Sequence, residues 1–306
     1  MPNLLDIRRR IRSVKNTQQI TRALKMISAS KLRRAQEQAL AARPYAERLR
    51  EMLAHLAGQL AELQRREAEA GQAGPGLGRV PASLHRVQLI VISADTGRAG
   101  AFNANVIKAA QTFLAEPAAD GQPREVKLEI VGRKALESFR KRNAAIVGEH
   151  LGVFDRQVDY GVARALAAGA AQRFVAGEVD AVYIVGNEFK SIVQQRVSLQ
   201  QLLPLAAPQD NAERAADAAP RDYLFKQPPA EIFAKLLPRY LEVQIYRSLL
   251  ESLAAEHAAR MNAMDNATRN AGDLIDVLTL NMNRVRQAAI TKEIIEIVGG
   301  AAALTG

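Results

Sequence analysis

The chain has 306 residues, 48% of them hydrophobic, and a formal net charge of +10. It contains no cysteine, which excludes disulfides, thiolate nucleophiles and cysteine-based metal sites. No apolar run of about 18 residues occurs, so no helix is expected to span a membrane, and Met1-Pro2-Asn3-Leu4-Leu5-Asp6 lacks the apolar stretch of a signal peptide.

From Asn3 to about Ala57 there is one proline, Pro44, and no glycine, which predicts a long helix. Leu4, Ile7, Ile11 and Val14 are spaced three, four, three. After a polar interval the rhythm returns as Leu32, Ala35, Ala39, Ala42, Ala46, Leu49, Leu53, Leu56, Leu60 and Leu63. Alternating steps of three and four make a coiled-coil seam. Small alanines let two helices approach closely, and leucines hold them further apart. Pro44 is expected to kink or locally open the helix, because its ring clashes with the preceding turn. Residues 1–50 hold 13 Lys or Arg against three acids, so essentially the whole net charge lies there. Such a segment suits an acidic partner, or is a solvated face.

The middle of the chain changes period repeatedly. Val87–Ile92 reads as a buried strand, followed by a Gly-containing loop from Ser93 to Phe102 and a helix from about Asn103 to Leu114. Val126–Val131 is a second strand and Arg133–Arg142 a second helix. Ala144–Val147 suits a short strand, Val162–Val175 a helix, and Ala181–Val185 a strand. Ile192–Leu203 begins as a strand. Strands alternating with helices predict a mostly parallel sheet with helices on both faces. Glu67–Ser83 and Ala206–Arg221 read as surface loops.

From Arg239 to Val298 there is no proline and one glycine, Gly272. Leu274, Leu278, Met282, Val285 and Ala289 form the expected apolar stripe of a second long helix. About 60 residues at about 1.5 Å each would span about 90 Å. No small domain covers such a helix, so it must pair with the first stretch. The predicted fold class is α/β: a long antiparallel coiled coil of N- and C-terminal helices with an inserted, mostly parallel, Rossmann-like domain. The expected segments are 1–64 for the first helix, 65–227 for the central domain, and 228–306 for the last helix.

Candidate chemistry is sparse. The loop Asp95–Asn103 follows a strand and opens a helix, but it carries neither the dinucleotide-binding glycine fingerprint nor a P-loop. A tight strand-to-helix turn is the simpler reading. His55, His85, His150 and His257 lack metal-ligand spacing, and His257 beside Glu256 reads as an exposed helical pair. No catalytic residue, cofactor or metal site is predicted.

The two ends closely resemble the ATP synthase gamma family. The resemblance rests on Asp6-Ile7-Arg8-Arg9-Arg10-Ile11 and on the run from Asn16 to Leu32, which contains Lys25-Met26-Ile27-Ser28. At the other end it rests on Arg260–Met264, Ala267–Ala271 and Asn283–Glu293, and on Ile297-Val298-Gly299-Gly300-Ala301. With the middle included it covers essentially the whole chain. One departure stands out. The family usually has Leu-Cys-Gly-Gly-Leu-Asn after the first strand, where this chain has Arg98-Ala99-Gly100-Ala101-Phe102-Asn103.

The resemblance implies a non-catalytic rotor in an F-type ATP synthase. Its end helices would form a shaft inside a hexamer of alpha and beta subunits. Its central domain would be a foot that holds epsilon and rests on the membrane c-ring. One copy per complex is implied, peripheral to a bacterial inner membrane on its cytoplasmic side. By the same resemblance, Lys25, Met26, Arg286, Gln287 and Thr291 contact alpha and beta, and Tyr223 and Phe225 contact epsilon or the rotor ring. Gln18 and Thr21 would fall where the shaft meets its housing. The competing reading is a basic coiled coil that binds nucleic acid. Against it, residues 1–50 contain one aromatic, Tyr45, where base stacking would favour several. A nucleotide-dependent enzyme resting on the Asp95–Asn103 loop is a third reading.

Overall fold

The fold is described from a computed structural model, over residues 4–68, 84–118, 121–154, 157–205 and 229–305. Two compact units divide the chain: residues 1–30 with 260–306, and residues 31–259.

Two helices contribute to both units, α1 (Leu4–Ala68) and α5 (Pro229–Thr305). Between them lie β1 (Arg86–Ile92), α2 (Phe102–Ala115), β2 (Glu125–Val131), α3 (Arg133–Arg140), β3 (Ile146–His150), α4 (Tyr160–Val175), β4 (Ala181–Phe189) and β5 (Gln195–Leu203). The five strands form one sheet in the order β3-β2-β1-β4-β5. All neighbours pair in parallel except β4 and β5, which are antiparallel. The expected parallel α/β architecture is therefore present. The third strand starts two residues later than expected and continues to His150, and β4 runs on to Phe189.

The central strands are buried on both faces, which is why β1 reads as a nearly unbroken apolar run. On one face Val87, Leu89 and Val91 meet Val106, Ala110 and Phe113 of α2 and Leu136 and Phe139 of α3. On the other, α4 and α5 approach. Ser252 of α5 accepts from the Asn187 amide at 3.2 Å, and a Cβ on Gly186 would lie 2.8 Å from the Ser252 hydroxyl. Only glycine admits that helix so close to β4.

The opposite face also holds one buried acid. Glu129 of β2 accepts from Arg173 of α4 at 2.7 Å and from Gln88 of β1 at 2.5 Å, and lies 3.0 Å from His150 of β3. Burial alone would raise its carboxyl. The hydrogen bonds from His150 and Arg173, with their charge, outweigh that and hold it below the usual range.

Within residues 31–259 the two long helices run antiparallel. Arg43 reaches Glu251 and Gln244 reaches the Ala46 carbonyl, so numbers rise on one helix as they fall on the other. Of the expected seam, Leu32, Ala35, Ala39, Ala46, Leu49, Leu53 and Leu56 are buried and Ala42 is half-buried, while the side chains of Leu60 and Leu63 lie outside the described residues. α1 continues through Pro44. The carbonyl that loses its partner there belongs to Leu40, an exposed residue, so water can replace the missing N–H. His257 and Glu256 are the reverse of the expected exposed pair: both are buried, at 4% and 2%, on the face of α5 that packs inward.

Candidate interaction surface on the end helices

The unit made of residues 1–30 and 260–306 is a helix pair whose register is fixed by side chains. Lys25 meets Asp265 at 2.5 Å, Thr21 meets the Thr268 hydroxyl at 2.8 Å, and the Gln18 amide reaches the Thr268 carbonyl at 3.4 Å. Gln18 also packs against Gly272, where an added Cβ would lie 3.2 Å from its amide nitrogen. The pairing is antiparallel, one residue up for each residue down. Ile7, Thr21 and Ser28 are buried, and Leu4, Ile11, Val14 and Gln18 are half-buried. The alternating seam therefore does not stop at the polar interval. Polar residues occupy it in phase: Gln18 and Thr21 bond Thr268 across the pair, and Ser28 donates to the Leu24 carbonyl of its own helix.

Polar groups in a seam cost stability but punish a shifted register, because a slip would leave them unpaired against apolar neighbours. The Lys25 ammonium, hydrogen-bonded to Asp265 and joined by Arg269 at 3.1 Å, holds that carboxyl below its ordinary value of 3.8.

The sequence reading has the middle of the last helix's stripe, Leu278, Met282 and Val285, and misses at its two ends, Leu274 and Ala289. Leu274 is 42% exposed, whereas Ala271 and Leu278 are buried and Ile275, Met282 and Val285 are half-buried. The observed stripe passes through Ile275, and Ala289 lies outside it, exposed.

Carried upward by the same register, Leu4 of α1 is level with about Arg286 of α5. From Arg286 to Gly299 every residue is exposed, including Ile294 at 55%, Ile297 at 71% and Val298 at 62%. Among the described residues, this helix end has no covering helix. Arg286, Gln287 and Thr291 lie on it, with Gln287 and Thr291 on one face at i, i+4. Met26 is exposed at 69%, beside the half-buried Lys25. Twenty-one residues of α1 separate Lys25 from Leu4, or about 30 Å of helix. The predicted contact residues thus fall in two places, one at the Lys25–Met26 turn and one on the bare end of α5. Tyr223 and Phe225 lie outside the described residues. Sequence reasoning missed Asp265 and Thr268. Extending the three-four rhythm back from Leu278 through Ile275 and Ala271 would have found Thr268; Asp265 lies beside that stripe.

The loop after β1 is committed to structure. Asp95 accepts from the backbone amides of Arg133 and Gly152, Ser93 bonds the Val131 carbonyl and the Ala135 amide, and Asn103 accepts from the Ala94 amide. These bonds tie the ends of β1, β2 and β3 together. Gly100 takes a left-handed φ of 55°, and so does Arg98 at 65°. Ala101, where the family usually has glycine, has an ordinary φ of −83°, so alanine fits there without strain.

The family model for ATP synthase matches residues 3–304. The ATP synthase gamma chain of Solibacter usitatus (strain Ellin6076) is 51% identical over 303 residues, covering 99% of each chain. The chain belongs to the ATP synthase gamma family. The gamma chain of Pelotomaculum thermopropionicum is 46% identical over 305 residues, covering 99% of this chain and all of the relative. Among solved structures, a chain of the Euglena gracilis mitochondrial ATP synthase (OSCP/F1/c-ring) superposes with a TM-score of 0.67 at 17% identity, covering 98% of this chain and 94% of its own. A central-stalk/c-ring chain from Tetrahymena thermophila gives 0.57 at 22%, covering 81% of this chain and 99% of its own. These last two establish a shared fold. The family match spans the basic helix and the α/β domain alike, and lends no support to a nucleic-acid-binding coiled coil.

Proposed function

We propose that this chain is the rotating central stalk of an F-type ATP synthase, coupling ion flow across a membrane to ATP synthesis or hydrolysis at an alpha/beta hexamer. It performs no catalysis itself and is present once per complex. Residues 1–64 and 228–306 serve as the shaft. Residues 65–227 form a foot that holds epsilon and sits on the c-ring, at the cytoplasmic face of a bacterial inner membrane. No described helix is long and apolar enough to cross a membrane.

The observation that carries this reading is the bare end of α5, an apolar and polar helix surface with no covering partner among the described residues, within a chain whose residues 3–304 match the family. An exposed row of Ile294, Ile295, Ile297 and Val298 is a liability unless a partner covers it. A ring of alpha and beta subunits would do so, with the Arg286 fork and Gln287 engaging the ring at one level and Lys25 and Met26 at another. Mixing the chain with alpha and beta subunits should yield a complex with one copy per hexamer. Several copies per hexamer in native mass spectrometry would reject the stalk role.

A further inference from the structure

The end of β4 meets both long helices within the unit of residues 31–259. The Ser252 hydroxyl of α5 accepts from the Asn187 amide at 3.2 Å and donates to the Asn187 carbonyl at 3.4 Å. Two residues on, the Phe189 carbonyl accepts from an Nη of Arg43, on α1, at 3.2 Å. The Nε of the same Arg43 donates to Glu251 of α5 at 3.3 Å. One guanidinium therefore joins α1, α5 and the sheet, and Glu251 stands next to Ser252 in the chain.

This joint is shielded from water. The Glu251 side chain is 6% exposed and also accepts from Arg247 at 3.0 Å. A buried ion pair is screened little by salt. Nine residues earlier on α5, Glu242 accepts from the Tyr160 hydroxyl of α4 at 2.7 Å, about 14 Å away along the helix. Apolar packing is non-directional and yields to sliding, whereas a hydrogen bond must break for its partners to slide apart. The Ser252 and Glu242 bonds fasten the α/β domain to α5. Arg43 carries the hold across to α1 and ties α1 to α5 at the same level. The strand end and the two helices then form a triangle.

We propose that Arg43 is a positioning residue for torque: it stiffens the joint through which the α/β domain and the paired helices turn as one body. The proposal rests on the stalk reading, in which residues 65–227 are the foot and the long helices the shaft. The Arg fork suits the task because separate nitrogens hold the carboxylate and the carbonyl. A lysine ammonium keeps the charge but lacks that fork.

The test uses full-length chains carrying Val175→Cys, assembled with alpha/beta hexamers fixed to a surface. Val175 is 48% exposed and ends α4, six residues before β4 begins, so a bead attached there reports on the foot. With ATP, rotation of the bead on chains with Arg43 intact tests the stalk reading by itself. With ATP withheld, the bead fluctuates about a fixed angle, and the spread of that angle measures the stiffness between foot and hexamer. Arg43→Lys and Arg43→Ala should both broaden the spread while leaving its centre in place. If Arg43→Ala does not assemble, Arg43→Lys decides alone. Rotation in the parent with an unchanged spread in the variants overturns the proposal and leaves the stalk reading standing. A lowered melting temperature with an unchanged spread overturns it equally, since Arg43 would then only stabilise the fold.

Discussion

Asp265 is a small part of the chain with a measurable signature. Its carboxyl is held below 3.8 by the Lys25 ammonium and by Arg269. A lowered folded value means that this contribution to stability is complete above the ordinary carboxylate range and is lost as pH falls through the lowered value. Thermal melts from pH 6 downward, on the acid side of about 4, should therefore fall more steeply for the natural chain than for Asp265→Asn. Identical acid limbs would show that the pair contributes nothing. Arg173 is a harsher case, because its partner Glu129 is 95% buried. Arg173→Ala leaves a buried carboxylate short of its main cation, which costs about 3–5 kcal/mol and should raise the Glu129 carboxyl. Denaturant unfolding measures the first, and carboxyl NMR titration the second. Neither residue was visible in the sequence as special. Glu129 sits in Val126–Val131 as one acid in a strand, and its partners come from β1, β3 and α4, distances that periodicity does not encode.

At the scale of elements, the sequence was most legible where one period ran longest. Leu32 to Leu56 could be read as a seam because leucine and alanine mark it. The same seam continues through Gln18, Thr21 and Ser28, where hydropathy is silent: Gln18 and Thr21 bond Thr268, and Ser28 donates to the Leu24 carbonyl of its own helix. The last helix was harder. Leu274 looked like a seam residue but faces outward, because Ile275 takes its place in the rhythm. Apolar residues surround this helix on several sides, as expected of one that is covered by something other than its partner helix. The bare end of α5 gives the element-scale prediction. If Arg286 and Gln287 grip the hexamer, Arg286→Ala with Gln287→Ala should slow ATP hydrolysis by the reconstituted hexamer about tenfold, from the loss of a charge-assisted hydrogen bond in the rate-limiting state. Helical content should be unchanged. Wild-type rates would mean that the two residues only solvate the helix. Met26→Lys tests the other level. A new charge beside beta could form an ion pair that holds one rotary position too strongly. Coupling efficiency should drop and the activation barrier should rise while assembly is retained, and ordinary ATP synthesis rates across temperature would contradict this.

For the whole molecule, the alternation of apolar strands and helices was enough to give a mostly parallel sheet, and the two proline-poor ends were enough to give an antiparallel pair. What the ends do depends on partners that the chain does not contain. The absence of cysteine makes rotation directly measurable, because one introduced thiol is a unique handle. Val193, between β4 and β5 and 84% exposed, is a suitable site. With alpha/beta hexamers fixed to a surface and a bead attached through Val193→Cys, addition of ATP should drive sustained rotation of the bead in one direction. A bead that only fluctuates about a fixed angle, in complexes that hydrolyse ATP normally, would contradict the account.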